Sequence, residues 1–161
     1  MKNLNQQIEE LNENLAVQLS TEILEVLGQS IQDLKSKNIE ENCIGIGDLF
    51  PDFNLPNSNI EIVRLKELLQ KGKVIVAFFR GSWCPYCNLE LKALQDSLKQ
   101  ITDKKATLVA ISPQTPDYSK ELKGNHNLDF EVLTDKNSTL AKQLTSGLCS
   151  SCLRKFRYRT V

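Results

Sequence analysis

Two cysteines separated by two residues are the groups in this sequence best suited to chemistry. Cys84 and Cys87 stand in the segment WCPYC, just after an unbroken apolar run at 74–79. That short, β-branched run predicts a strand buried on both faces. Apolar residues at helical spacing follow, and Pro85 suits a first helical turn. The cysteines are therefore expected at the turn where a central strand leads into a helix.

This position favours a reactive thiolate. A helix N-terminus presents unpaired N–H groups and a partial positive charge, which lower a thiol pKa from about 8.5 to somewhere between roughly 3.5 and 7.5. Arg80 adds positive charge nearby, and Pro85 stiffens the turn between the cysteines. Two intervening residues allow a disulfide, so Cys84 and Cys87 are predicted to cycle between dithiol and disulfide.

A structural zinc half-site and a chance pair are the alternatives to redox chemistry. Zinc takes four ligands, and the other candidates, Cys149, Cys152 and His126, lie far along the chain. The order strand, cysteine pair, helix favours redox chemistry, so we predict no metal and no cofactor. Trp83 and Tyr86 flank the cysteines, where they either shield the site and form a docking surface or only pack.

Size and composition narrow the class of protein. A chain of 161 residues predicts one domain with an extension. Its formal net charge of zero gives no indication of nucleic acid or an anionic membrane as a partner. No run approaches a membrane span, and the polar N-terminus lacks a signal-peptide pattern. Five cysteines are an odd number, which suits catalytic thiols in a reducing cytoplasm.

Residues 1–38 are predicted to form an amphipathic helical extension. Leucine, isoleucine and valine recur there at spacings of three and four, among Glu, Gln, Asn and Lys. We expect one helix, or two helices broken near Gly28. The apolar stripe requires burial but does not specify its partner. Packing on the chain's own domain and contact with a partner, such as a second copy in a homodimer, both remain open.

Residues 44–144 are predicted to form an α/β domain. From 74 onward strands and helices alternate, which indicates parallel strands with right-handed crossovers. Gly72 and Gly124 are predicted helix ends, and the segment Thr115-Pro116-Asp117 a helix start. The other predicted elements are strands near 53–55, 60–63, 106–111 and 130–133, and helices over 64–71, from 85 to 101–103 and over 135–144.

Four segments together resemble the AhpC/TSA (alkyl hydroperoxide reductase / thiol-specific antioxidant) group, in its peroxiredoxin-like branch. They are IGDLFPDFNL at 46–55, RGSWCPYCNLEL at 80–91, VAISPQ at 109–114 and FEVLTD at 130–135. The resemblance implies a thioredoxin-like fold and thiol-dependent reduction of hydrogen peroxide or alkyl hydroperoxides. It further implies that a peroxidatic thiolate becomes a sulfenic acid, that a second thiol condenses with it, and that a thioredoxin-type donor restores the dithiol.

The resemblance leaves the order of the two cysteines open. Peroxiredoxins usually carry a Thr three residues before the peroxidatic Cys, which would place Cys84 at the Thr position and Cys87 at the peroxidatic one. Thioredoxins use the first cysteine of their pair, here Cys84. We favour Cys84 as nucleophile because it is expected nearer the exposed edge of the turn, with Cys87 resolving. A thioredoxin-like disulfide reductase and a non-catalytic remnant are the alternative functions.

The segment 145–161 departs from the family pattern. No proline follows Pro116, no acidic residue follows Asp135, and three of the five arginines lie in the last eight residues. The family would supply a proline-bearing loop, two further strands and a helix. We therefore expect a truncated or frame-shifted end, a fold incomplete at the C-terminal hairpin, an open sheet edge and a poorly ordered basic tail.

The cysteines outside the central pair have no assigned role. Cys149 and Cys152 form either a second redox pair, half of a zinc site or part of a harmless tail. Cys43 precedes the domain and is interpreted as an incidental thiol. If the fold is incomplete, weak peroxidase activity is expected even with Cys84 and Cys87 intact.

Overall fold

The structure, a computed structural model, describes residues 2–38, residues 43–144 and the backbone of 159–160. Within those ranges no helix is long and apolar enough to cross a membrane. The elements in chain order are α1 (Leu4–Gln18), α2 (Thr21–Ser36), β1 (Asn54–Pro56), β2 (Ile62–Arg64), α3 (Leu65–Lys71), β3 (Lys73–Phe78), α4 (Pro85–Asp103), β4 (Ala106–Ser112), α5 (Pro116–His126), β5 (Glu131–Thr134), a 3-10 turn (Lys136–Ser138), α6 (Thr139–Gln143) and β6 (Arg159–Thr160).

The N-terminal extension forms two helices, but the expected break near Gly28 is wrong. The chain turns at Leu19 and Ser20, and Gly28 lies inside α2. The Ser20 hydroxyl accepts a hydrogen bond from the N–H of Ile23 at 3.5 Å and so begins α2. A serine cap satisfies a backbone donor that the helix leaves unpaired, whereas one exposed glycine costs a helix only about 1 kcal/mol. The cap therefore decides the boundary.

The central sheet has the strand order β5-β4-β3-β6. Strands β3, β4 and β5 run parallel, with Val76 opposite Val109 and Ala110 opposite Val132. This arrangement confirms the predicted parallel α/β layout. Strands β1 and β2 form a separate antiparallel hairpin. The crossover helices α4 and α5 connect the parallel strands, as the alternation of elements predicts.

The expectation of an open sheet edge is wrong in part, because the edge beside β3 is paired. Arg159 and Thr160 pair antiparallel with Val76 and Ile75. An edge strand presents unpaired N–H and C=O groups, so an extended segment of suitable length is able to pair with it. The remainder of the predicted basic tail, including Cys149 and Cys152, lies outside the described residues.

Two apolar layers cover the two faces of the sheet, because side chains alternate along each strand. One layer contains Val76, Val109 and Leu133, together with residues of α3 and α6. The other contains Phe79, with residues of α4 and α5, and it includes the cysteines of interest. Helix α4, at whose start the two cysteines lie, is therefore held against the sheet by this second apolar layer.

Two helix boundaries differ from the predictions. Helix α5 continues past Gly124 and ends at His126, because Asn127 adopts the left-handed conformation with φ 49°. The segment expected as one helix over 135–144 is split, since Asn137 and Ser138 also have positive φ. Asparagine tolerates this conformation better than most residues, and local propensity alone did not indicate which residue would adopt it.

Helices α1 and α2 differ in how they meet the domain. Helix α1 packs against α4, which agrees with the hypothesis that the extension covers its own domain. Helix α2 leaves part of its apolar stripe in solvent, including Ile23, Val26 and Leu27. The hypothesis that a second copy covers this stripe stays a prediction.

Candidate active site: a cysteine pair at the start of helix α4

The cysteine pair lies at the strand-to-helix turn, as the sequence predicts. Cys84 is the N-cap residue of α4, with extended backbone angles, and Pro85 is the first helical residue. The N–H of Cys84 donates to the carbonyl of Gly81 at 3.1 Å, and its own carbonyl accepts from the N–H of Asn88 at 3.1 Å. The backbone of Cys84 is thus held where the helix presents its positive end.

Both cysteine side chains are buried. Cys84 is 1% exposed and Cys87 is 8% exposed, so the expectation that Cys84 lies nearer the exposed edge is wrong. The physical reason is helical periodicity: Cys84, Cys87 and Leu91 follow one another at spacings of three and four and share the face that packs on the sheet. Exposure therefore gives no reason to prefer Cys84.

Arg80 provides a different reason to prefer Cys84 as the nucleophile. Its guanidinium Nη2 donates to the Cys84 sulfur at 3.0 Å, and the guanidinium carbon lies 5.1 Å from the centroid of the Trp83 ring. Trp83 itself is 70% exposed, so it covers Arg80 from the solvent side. A cation that contacts both a π face and a sulfur favours a negative charge on that sulfur.

The electrostatic environment separates the two thiols. Burial by itself raises the pKa of Cys84, but hydrogen bonds from Cys87 and Arg80, together with the positive charge of Arg80, outweigh it and lower that pKa. Burial raises the pKa of Cys87 to about 11, and the neighbouring Cys84 sulfur adds to the increase. The pair therefore favours a thiolate at Cys84 beside a neutral thiol at Cys87 near neutral pH.

The loop that carries Arg80 is held by residues that sequence analysis did not assign to the site. The N–H of Ser82 donates to Oε1 of Gln114 at 2.8 Å, and Nδ2 of Asn88 donates to the Ser82 carbonyl at 2.9 Å. A signal for Gln114 was present, because carboxyl ends of parallel strands meet at one sheet edge and Gln114 follows β4. Its contact with Ser82 depends on the fold.

Gly81 is required by the geometry of this loop. Its φ is +155°, and a β-carbon added there would lie 2.6 Å from Nε1 of Trp83. A side chain at this position would therefore displace the indole ring that covers Arg80.

The N-terminal extension reaches the cysteine helix. The Tyr86 hydroxyl donates to Oδ1 of Asn12 at 2.6 Å, which joins α4 to α1. Beside this contact is an open groove of about 340 Å³ lined by Gln7, Glu10, Leu11, Asn14, Pro85, Asn88 and Leu89. Tyr86 thus has a specific role in docking α1, beyond the shielding or packing that the sequence suggested.

Of the cysteines outside the pair, Cys43 is the one within the described residues, and it lies away from this site. Cys43 is half-buried against the core layer on the opposite face of the sheet from Cys84 and Cys87. Among the described residues, no cluster of three or more His, Cys, Asp or Glu side chains is arranged to hold a metal ion.

Comparison with known proteins agrees with this architecture. The AhpC/TSA family model matches residues 46–156. The chain is 32% identical over 100 residues to peroxiredoxin Bcp of Bacillus subtilis, covering 62% of each chain. It is 28% identical over 105 residues to peroxiredoxin bcp1 of Schizosaccharomyces pombe, covering 65% of this chain and 53% of that one.

Solved structures give the same result for the fold. Peroxidoxin BcpB of Mycobacterium tuberculosis superimposes with a TM-score of 0.59 at 28% identity, covering 61% of this chain and 64% of that one. Peroxiredoxin Q of Xanthomonas campestris, at 14% identity, gives a TM-score of 0.54 over 57% of this chain and 58% of that one. The chain thus spans about three fifths of the curated relatives it matches first. The predicted thioredoxin-like fold is confirmed, and the chain belongs to the AhpC/TSA family.

Proposed function

We propose that the protein is a thiol peroxidase that reduces hydrogen peroxide or alkyl hydroperoxides through Cys84 and Cys87. The observation that carries the proposal is the 3.0 Å hydrogen bond from Arg80 to the Cys84 sulfur, with a second thiol, Cys87, one helical turn further along. A thioredoxin-type donor would return the disulfide to the dithiol. Family membership supports this reaction class, and the thiol chemistry suits a reducing cytoplasm.

The first step is attack of the Cys84 thiolate on the terminal oxygen of the peroxide O–O bond. The sulfur takes up the terminal oxygen with its proton and becomes a sulfenic acid, while the O–O bond breaks. The departing oxygen leaves as an alkoxide, or as hydroxide from hydrogen peroxide, and takes up a proton from solvent. Arg80 stabilises the thiolate before the attack and offers a cation to the negative charge that moves onto the peroxide oxygens.

The second step forms a disulfide between Cys84 and Cys87. The Cys87 thiol condenses with the Cys84 sulfenic acid, a disulfide forms, and one water is released. A donor dithiol then reduces this disulfide by exchange through a mixed disulfide. Pro85 between the cysteines limits the motion of the turn that brings the two sulfurs together. The exposed Trp83 ring is suited to contact with a donor protein.

Disulfide reduction is the second candidate function. The lowered pKa of Cys84 and the raised pKa of Cys87 suit exchange in which the first cysteine attacks a substrate disulfide and the second resolves the mixed disulfide. In that case peroxide is not the physiological oxidant. The curated relatives reported above are named as peroxiredoxins, so we favour the peroxidase.

Rapid-mixing measurements on the reduced chain test the proposal. Trp83 is the only tryptophan and directly precedes Cys84, so its fluorescence reports each oxidation step. Cys87→Ser is expected to consume one equivalent of peroxide and to accumulate a sulfenic acid that a carbon nucleophile traps. Cys84→Ser is expected to consume none, and Cys43→Ser, on the other sheet face, is expected to behave as wild type.

Two results would contradict this assignment. A burst of peroxide consumption that persists in Cys84→Ser but disappears in Cys87→Ser would make Cys87 the peroxidatic residue. Reduction of a protein disulfide without measurable peroxide consumption would instead support the disulfide reductase. Continuous turnover with thioredoxin, thioredoxin reductase and NADPH tests the proposed donor.

A further inference from the structure

Both backbone polar groups of one residue in the active-site loop are bound by side chains from other elements. Ser82 lies two residues before Cys84. Its N–H donates to Oε1 of Gln114, 32 residues away in sequence, at 2.8 Å. Its carbonyl accepts from Nδ2 of Asn88, in the first turns of α4, at 2.9 Å. These two contacts fix Ser82 from opposite sides.

Gln114 is itself held in place. Its Nε2 donates to the hydroxyl of Ser119 at 3.1 Å, and Ser119 is fully buried on α5. One amide group therefore joins the active-site loop to α5, while its own backbone follows β4. Because the Gln114 side chain is already bound by Ser119, it loses little further conformational freedom when it accepts the hydrogen bond from Ser82.

The conformation of the loop between β3 and Cys84 depends on the contacts of Gln114 and Asn88 with Ser82. It includes Gly81, whose φ of +155° is accessible to few other residues. Ser82 lies midway along the chain between Arg80 and Cys84, so a shift of its backbone would change the separation between the guanidinium and the sulfur. A displacement of about one ångström would lengthen the 3.0 Å contact to the limit of a hydrogen bond to sulfur and so weaken it.

We propose that Gln114 and Asn88 are positioning residues, which hold Ser82 so that the Arg80 guanidinium stays on the Cys84 sulfur. Neither residue is required to touch the substrate. The inference deepens the proposed function, since it concerns the thiol that we assign to peroxide attack. The quantity that the inference concerns is the stabilisation of the Cys84 thiolate, which is measurable without peroxide.

The experiment replaces each side chain by an apolar one of similar size in the full chain. Gln114→Met and Asn88→Leu remove the hydrogen bonds to Ser82 while keeping most of the volume. Both are made in a Cys87→Ser background, where serine retains a hydroxyl donor, and Cys84 is titrated by thiolate absorbance. We expect each variant to raise the pKa of Cys84, in the direction of Arg80→Met and by at least half as much.

Gln95→Met is the matched control. Gln95 also joins its helix to a loop through one amide, which donates to Asp129 at 2.6 Å and accepts from the Asp129 N–H at 2.9 Å. Its loss is expected to lower the melting temperature as much as Gln114→Met does, with no change in the titration of Cys84. The comparison separates positioning of the thiolate from general stability.

Combination with Arg80→Met tests the route of action. If Gln114 acts through Arg80, then Gln114→Met added to Arg80→Met is expected to raise the pKa of Cys84 no further. An equal increase with and without Arg80 would overturn the proposal. An unchanged titration of Cys84 in both Gln114→Met and Asn88→Leu would also overturn the proposal. If Gln114→Met fails to fold, the titration of Cys84 in Asn88→Leu alone tests it. Because the titration uses no peroxide, failure of the peroxidase assay leaves this test intact.

Discussion

The guanidinium of Arg80 donates a hydrogen bond to the sulfur of Cys84 at 3.0 Å while it stacks on the ring of Trp83. Arg80 stays charged throughout the accessible pH range, so its contact with Cys84 favours the thiolate whenever the loop is intact. Arg80 also makes hydrogen bonds to Cys87, but burial and the neighbouring Cys84 sulfur outweigh them and raise the pKa of Cys87 to about 11. The division of roles that we propose for the two cysteines rests on this asymmetry.

The first prediction concerns pH. Burial opposes ionisation of Cys84, but hydrogen bonds and Arg80 lower its pKa overall. The second-order rate constant with peroxide is therefore expected to be constant above that lowered pKa and to fall as the pH falls through it. Arg80→Met removes the cation, so the profile is expected to move to higher pH. Rapid-mixing rates across a pH series measure both curves.

Arg64→Met is the control for this pH profile. Arg64 forms an exposed ion pair with Glu67 at 3.1 Å and ends β2, which belongs to the separate hairpin. Its loss is expected to leave the profile unchanged. Identical profiles for wild type and Arg80→Met would show that Arg80 does not govern the reactive thiol.

The second prediction concerns the disulfide. Cys84 and Cys87 lie one helical turn apart on the same face of α4, which permits closure without a large backbone movement. We expect one equivalent of peroxide to join them, as mapped by peptide mass spectrometry after alkylation. Recovery of both cysteines as alkylated thiols after the peroxide pulse would contradict an intramolecular redox pair.

The third prediction concerns the contact between α1 and α4. The Tyr86 hydroxyl donates to Oδ1 of Asn12 at 2.6 Å. A double-mutant cycle with Tyr86→Phe and Asn12→Ala is expected to give a coupling of about 0.5–1.5 kcal/mol in the free energy of unfolding. Deletion of residues 1–38 is expected to lower the melting temperature and to increase binding of an apolar dye. Zero coupling with an unchanged melting temperature would mean that α1 does not dock on α4 in solution.

The fourth prediction concerns the core beneath the cysteines. Leu91 is 1% exposed and shares the buried face of α4 with Cys84 and Cys87. Leu91→Ala is expected to cost roughly 2–5 kcal/mol in the free energy of unfolding, because it removes buried methyl groups and leaves a cavity. Chemical denaturation measures this cost.

Leu69→Ala, at an exposed position of α3, provides the comparison for Leu91→Ala. It is expected to lower the free energy of unfolding by about 1 kcal/mol or less. Equal losses for the two variants would show that α4 is not packed on the sheet as described.

Much of the domain was predictable because its signals are local. The apolar run at 74–79 predicted β3, and Gly72 correctly marked the end of α3. The segment WCPYC predicted the start of α4 at Pro85, since only a first-turn proline is compatible with the helix that follows. The break at Ser20 was missed because a serine cap and an internal glycine are both signals for a helix boundary. Periodicity alone does not show which of the two signals marks the boundary.

By itself, the sequence determined the chemical nature of the site: two cysteines, a proline between them and an arginine nearby at the start of a helix, with the family segments around them. Tertiary structure decided which sulfur is favoured as the thiolate. That outcome depends on burial of both sulfurs, on hydrogen bonds from Cys87 to Cys84 and on a 3.0 Å contact from Arg80. We propose that the contacts from Gln114 and Asn88 to Ser82 maintain it. Sequence spacing does not encode such distances, because they arise only when β3, β4 and α4 are brought to one edge of the sheet.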